Sequence, residues 1–239
     1  MKQQDRQTPS SLPGAAVFET PPEQPERSPA VIRRFDHNPI LQPRADRNWE
    51  SRFVLNPAAI RLGDRVELIY RAIGGDGRSV FGHAASRDGI HIDERSDRPV
   101  YQCNQPFYRA AGEAGGGGAF PYSSGGSSSG CEDPRLTQVG DRVYMTYTSF
   151  ASWDSPPGMA LTSIPVRDFI NRRWSWEPPR LLSPPYEMHK NWVLFPEKFD
   201  GRYALLHSMA PELHVDYLDS LDRIQAGEVR SRHQPFDQP

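Results

Sequence analysis

Three stretches of the chain repeat one order of residues, and that order narrows the accessible folds more than any other feature. A short proline-containing run (Asn56-Pro57-Ala58, Asp133-Pro134-Arg135, Phe195-Pro196-Glu197) precedes a turn (LGDR, VGDR, FDGR). An aromatic or β-branched run follows: VELIYRAI at 66–73, RVYMTYTSF at 142–150 and RYALLHSM at 202–209. Pro57 to Arg65 and Pro134 to Arg142 both span 8 residues, Pro196 to Arg202 spans 6, and five residues beyond those arginines stand Tyr70, Tyr147 and His207. Each unit then continues into another extended run and a polar turn: FGHAASRDG, MALTSIPVRDF and LHVDYLDSLD. An all-β unit of about four short strands, repeated roughly every 60 to 75 residues, is the blade of a β-propeller. Hairpins of a sandwich are the alternative reading of the same pattern. About three to three and a half blades are legible, against the four to eight of closed rings.

Composition agrees with short strands and turns. The 239 residues include 24 prolines and 19 glycines, and proline is about twice its usual ~5% share, which disfavours a helical fold. Residues 1–35 combine many prolines with few large apolar side chains and are predicted to be disordered. The propeller domain is expected over 36–230, interrupted by a flexible Gly/Ser loop at 112–130 and followed by a tail at 231–239. The net charge of -2, from 28 basic and 30 acidic residues, provides no polybasic footprint for nucleic acid or an anionic membrane. With no long apolar run and no signal-like start, the expected location is cytoplasmic. Cys103 and Cys131 are read as free thiols, no metal site is expected, and open strand edges would favour a homo-oligomer.

The chemistry concentrates around the second triplet. Strand alternation would place Asp133 and Arg135 on one face and Glu132 on the other. Arg71 closes the first unit's second strand, and Lys190 and Lys198 bracket the start of the third unit. An acid surrounded by cations suits an anionic substrate, phosphate above all, because guanidinium binds it bidentately and ammonium as a point charge. A structural Asp133–Arg135 pair with solvated lysines is the competing account.

NPAAIRLGDRVELIYRAIGGDGRSVFGHAASRDGI, GCEDPRLTQVGDRVYMTYTSF and KNWVLFPEKFDGRYALLHS together resemble glycoside hydrolase family 130, the β-mannoside phosphorylases and related mannosidases. The resemblance spans roughly residues 35–225, with Glu132-Asp133-Pro134-Arg135 its most specific part. It implies a five-bladed β-propeller and an inverting transfer of a mannosyl group from a β-mannoside or related oligosaccharide to inorganic phosphate, giving mannose 1-phosphate without any cofactor. In such enzymes the motif aspartate, here Asp133, sends a proton to the glycosidic oxygen through a sugar hydroxyl. Arg71, Lys198, Arg135 and Lys190 are the implied phosphate ligands, and Asn56, Asp76, Glu132 and Glu197 the implied substrate contacts. Asn56 and Asp76 equally fit a turn Asn before Pro and a turn Asp beside Gly. A glycoside hydrolase on the same scaffold, with Glu132, Glu197 or Glu212 as base, and an inactive carbohydrate-binding fragment are the alternatives.

Overall fold

The computed structural model describes residues 34–103, 126–151, 156–185, 187–207, 213–225 and 228–229, and among these described residues eleven strands, one five-residue helix and one 3-10 turn make up the regular structure. The first sheet is an antiparallel meander of β1 (Phe53–Leu62), β2 (Arg65–Ile73), β3 (Arg78–Ser86) and the two-residue β4 (Glu94–Arg95). The second repeats that plan with β5 (Ser129–Val139), β6 (Arg142–Phe150), β7 (Gly158–Pro165) and β8 (Arg180–Leu181), with helix α1 (Val166–Ile170) between the last two. The third contains β9 (Val193–Phe199), β10 (Arg202–His207) and β11 (His214–Leu218). A short parallel pairing of Arg78-Ser79 with Ser129-Gly130 ties the first sheet to the second.

The anticipated turns hold because their backbones demand glycine. Gly63 and Gly140 take φ of 65° and 60°, and in the third hairpin Asp200 and Gly201 both have positive φ, the type I′ arrangement that matches strand twist. The strands they introduce, β2 and β6, are buried along most of their length, as are β3 and β7. Strands covered on both faces carry near-continuous apolar runs rather than strict alternation, which is why VELIYRAI and RVYMTYTSF read as they do.

Sheet packs on sheet in sequence order. Ile69 and Phe81 of the first sheet meet Met145, Tyr147, Ala160 and Phe169 of the second sheet and α1 in one core cluster. Tyr144, Met159 and Leu161 of the second meet Trp192, Leu194, Leu205 and Leu218 of the third segment in another. Each large apolar side chain among them contributes about 1.5–3 kcal/mol through burial. The remaining face of the first sheet, with Leu68, Tyr70 and Ala72, is covered by Ile40, Leu41 and Trp49. The architecture is thus all-β, with consecutive blade-like sheets; no closed ring is formed among the described residues. No described helix is long and apolar enough to cross a membrane.

The expected disordered start, the tail at 231–239 and most of the Gly/Ser segment lie outside the described residues. Where that segment is described, its boundary differs from expectation. Ser127 is buried and hydrogen-bonded, and Ser129 and Gly130 open β5, because the strand needs them to pair with β3.

Candidate active site

The first strands of the first and second sheets, β1 and β5, carry the same irregularity at the same place. Pairing between β1 and β2 slips between Leu55 and Ala58, and pairing between β5 and β6 slips between Glu132 and Arg135. The extra residues are Asn56-Pro57 and Asp133-Pro134. A proline cannot donate to the ladder, so within a strand it is confined to edges, the first residue or a bulge such as these. The preceding Asn56 and Asp133 take φ of 44° and 52°, a region that Asn and Asp tolerate better than other side-chain-bearing residues. Asn191, just before β9, has φ 62°.

These bulges overturn the simple alternation argument. Glu132 and Asp133 do not point to opposite faces, because the left-handed turn at Asp133 brings both carboxylates onto Arg71. Arg71 Nη2 lies 2.9 Å from Glu132 Oε1 and Arg71 Nη1 lies 3.3 Å from Asp133 Oδ1. Asn56 Nδ2 donates to the same Asp133 oxygen at 2.7 Å. Lys190 Nζ stands 3.5 Å from Glu132 Oε2 and 4.0 Å from Asp133 Oδ2. Ser127 Oγ bridges Arg71 and Glu132, and Arg71 Nε donates to Ser79 Oγ at 2.7 Å. Arg135 donates to the carbonyls of Asp133 and Pro134 and, at 3.3 Å, to Asn191 Oδ1.

Accessibility divides the cluster. The Glu132 side chain is 0% exposed and that of Arg71 2%, whereas Asp133 retains 12% and Lys190 26%. Asp133, Arg135, Asn56 and Asn191 line an open cleft of about 520 Å³, whose walls include Pro57, Ala58, Ala59, Leu136 and Val193. The arrangement offers a substrate one carboxylate at the rim, with one oxygen fixed by an amide and a guanidinium and the other facing an ammonium.

Arg71, Arg135, Lys190, Asn56, Glu132 and Asp133 are therefore brought together. Lys198 and Glu197 are not. The third triplet also makes a bulge, but closer to its hairpin turn, between Leu194 and Lys198 in the pairing with β10. Both residues are exposed, and Lys198 Nζ sits 4.2 Å above the Tyr203 ring. Asp76 is an exposed residue of the β2–β3 turn whose carboxylate accepts from the Arg78 backbone N–H, the turn role open to an Asp beside Gly. Glu212 lies outside the described residues. Sequence reasoning did not single out Ser79, Ser127 and Asn191. Ser127 is hidden in low-complexity sequence, while an Asn directly after Lys190, at a strand start, is the type of residue that accepts a left-handed backbone.

No protein-family profile matches the chain. Among characterised proteins it is 30% identical over 198 residues to a 1,2-β-oligomannan phosphorylase of Thermoanaerobacter sp. strain X514, a match covering 80% of this chain and 57% of that protein. A β-1,2-mannobiose phosphorylase of the same organism is 29% identical over 206 residues, covering 77% of this chain and 56% of that protein. The chain thus spans a little over half the length of these relatives. Among solved structures, one from a group of mannoside phosphorylases containing hydrolases that target β-1,2-mannosidic linkages in Candida mannan superposes with a TM-score of 0.59. Its sequence is 20% identical, and the match covers 78% of this chain and 55% of that one. A β-1,2-mannobiose phosphorylase from Listeria innocua superposes with a TM-score of 0.50 at 14% identity, covering 80% of this chain and 63% of that one.

Proposed function

Because the chain belongs to glycoside hydrolase family 130, we propose that it supplies the catalytic face of an inverting β-mannoside phosphorylase built on a five-bladed propeller. Inorganic phosphate attacks the anomeric carbon from the side opposite the glycosidic oxygen. The C1–O bond to the departing sugar breaks as the C1–O bond to phosphate forms, and α-mannose 1-phosphate results. Asp133 supplies the proton that the departing oxygen takes up, relayed by a hydroxyl of the bound sugar.

One observation carries this reading. Among the described residues Asp133 is the sole carboxylate lining the cleft, and it stands beside Lys190 and Arg135. Inverting hydrolysis requires a second carboxylate, about 6.5–9.5 Å from the first, to activate water. Glu132 cannot serve, since it is fully buried and held by Arg71, Ser127 and Lys190. Glu197 is exposed and is not part of the cleft wall. A phosphate nucleophile needs no such base, only neutralisation of its charge and a fixed approach, roles this reading gives to Arg135 on the cleft wall and Lys190 beside Asp133. Arg71 serves a different purpose, because it is almost fully buried, pairs with Glu132 and Asp133 and does not line the cleft; it fixes the two carboxylates.

The test is release of sugar 1-phosphate from β-1,2-mannobiose with and without inorganic phosphate. Phosphate-dependent turnover that Asp133→Asn abolishes is expected. Lys190→Ala should raise KM for phosphate more than KM for the sugar. Equal cleavage in the absence of phosphate would assign the chain to the hydrolases, and sugar binding without turnover to an inactive binding module.

A further inference from the structure

We propose that Asn191 is a substrate-binding residue of this site, donating from its side-chain amide to a hydroxyl of the mannosyl ring in the cleft; the inference rests on the mannoside-active reading above. Asn56, Asp133 and Asn191 come from three successive sheets. Asn56 and Asp133 stand at the bulges of β1 and β5 and Asn191 just before β9, each has a left-handed backbone (φ 44°, 52° and 62°), and all three line the same cleft. Backbone in that region costs of order 1–3 kcal/mol for a residue other than glycine and clusters at functional sites. Two of the three are already joined, since Asn56 Nδ2 holds the Asp133 carboxylate at 2.7 Å.

Asn191 makes the corresponding contact with the other charged group of the cleft. Its Oδ1 accepts from Arg135 Nη2 at 3.3 Å, which fixes the orientation of the amide. Its Nδ2 makes no hydrogen bond among the described residues and is therefore the end left to serve a ligand. The wall around it is made of Ala58, Ala59, Leu136 and Val193, small or apolar groups suited to the C–H face of a sugar ring. A neutral N–H donor is matched to a neutral hydroxyl, while the anionic co-substrate is matched to Lys190 and Arg135. The predicted contribution of Asn191 thus falls on the sugar rather than on phosphate.

Asn191→Gly separates the amide from the backbone, because glycine adopts the same left-handed conformation without strain. Binding of β-1,2-mannobiose and of inorganic phosphate to the full chain would be measured by calorimetry, alongside the melting temperature. Asn191→Gly should weaken mannobiose binding about tenfold, the loss of one well-placed hydrogen bond, with phosphate affinity unchanged and the melting temperature not lowered. Asn191→Asp, which replaces the donor by an acceptor, should weaken sugar binding at least as much. Unchanged mannobiose affinity in Asn191→Gly overturns this inference alone. Parallel loss of sugar and phosphate affinity also overturns it and makes Asn191 a positioning residue for Arg135. Failure of the unaltered chain to bind mannobiose at all overturns the mannoside reading, and this inference with it.

Discussion

The N–H groups of Arg71 reach protein acceptors on Ser79, Ser127, Glu132 and Asp133. With both Arg71 and Glu132 almost fully buried, removing one partner leaves the other an uncompensated charge in the interior. Arg71→Met should therefore lower unfolding free energy by about 3–5 kcal/mol in denaturant titration, and the double variant Arg71→Met/Glu132→Gln should be less destabilised than Arg71→Met alone. A phosphate ligand on the surface would show neither effect. A second residue governs pH dependence. Burial pushes the His207 imidazole below its ordinary range, against the opposing pull of Asp216, so the folded protein favours the neutral ring. The unfolded chain takes up that proton first. Stability from this site is therefore complete above the unfolded imidazole pKa of ~6.5 and is lost as pH falls below it towards the folded value. Unfolding free energy should decline between pH 7 and pH 5, and His207→Phe should flatten that slope.

Between elements, the clearest tie runs from the segment after α1 back to the first sheet. Arg172, at φ 59°, donates from Nε and Nη2 to the two oxygens of Glu94 at 2.6 and 2.9 Å, and from Nη2 to buried Glu67 at 3.2 Å. Glu67 also meets His83 at 2.6 Å, and the His83 ring lies 4.9 Å from Trp174. Arg172→Lys keeps the charge but cannot reproduce the planar fork, so it should cost nearly as much as Arg172→Ala, about 2–3 kcal/mol, when measured by thermal or denaturant unfolding. This clasp left no trace in the sequence reading, because its members are scattered over more than a hundred positions and none belongs to a motif. The hairpins were legible for the opposite reason: a glycine turn and the strand after it are local, and each turn's backbone requires its glycine. The strand-opening triplets were only half legible. The prolines sit at bulges in β1 and β5, which simple alternation does not anticipate; a bulge rotates side chains, so alternation put Glu132 on the wrong face. In the third sheet the proline lies at a bulge closer to the hairpin turn, while Asn191 takes the left-handed backbone. Lys198 and Glu197 were carried away from the cleft with that bulge, and Lys190 stayed.

At the scale of the molecule, the third sheet differs from the first two in what covers it. The far face of the first sheet packs under Ile40, Leu41 and Trp49, and sheets one to three pack in order. Pairing places Ala204 opposite Tyr217 and Leu206 opposite Val215, on the face turned away from the Leu205–Leu218 cluster. That face leaves Val215 40% and Tyr217 46% exposed, with Leu213 62% exposed beside it, and no described strand pairs with the outer edge of β11. An apolar face next to an open strand edge favours association. Analytical ultracentrifugation over increasing concentration should show the chain self-associating, and the double variant V215K/Y217K should shift it towards monomer. A chain that stays monomeric at all concentrations would show that this face is covered in solution. Asn56, Asp133 and Asn191 already bring one cleft residue from each of the three sheets, and neither Val215 nor Tyr217 lines the cleft. V215K/Y217K should therefore bind β-1,2-mannobiose as tightly as the unaltered chain. Loss of sugar binding together with loss of association would instead mean that the second copy completes the site.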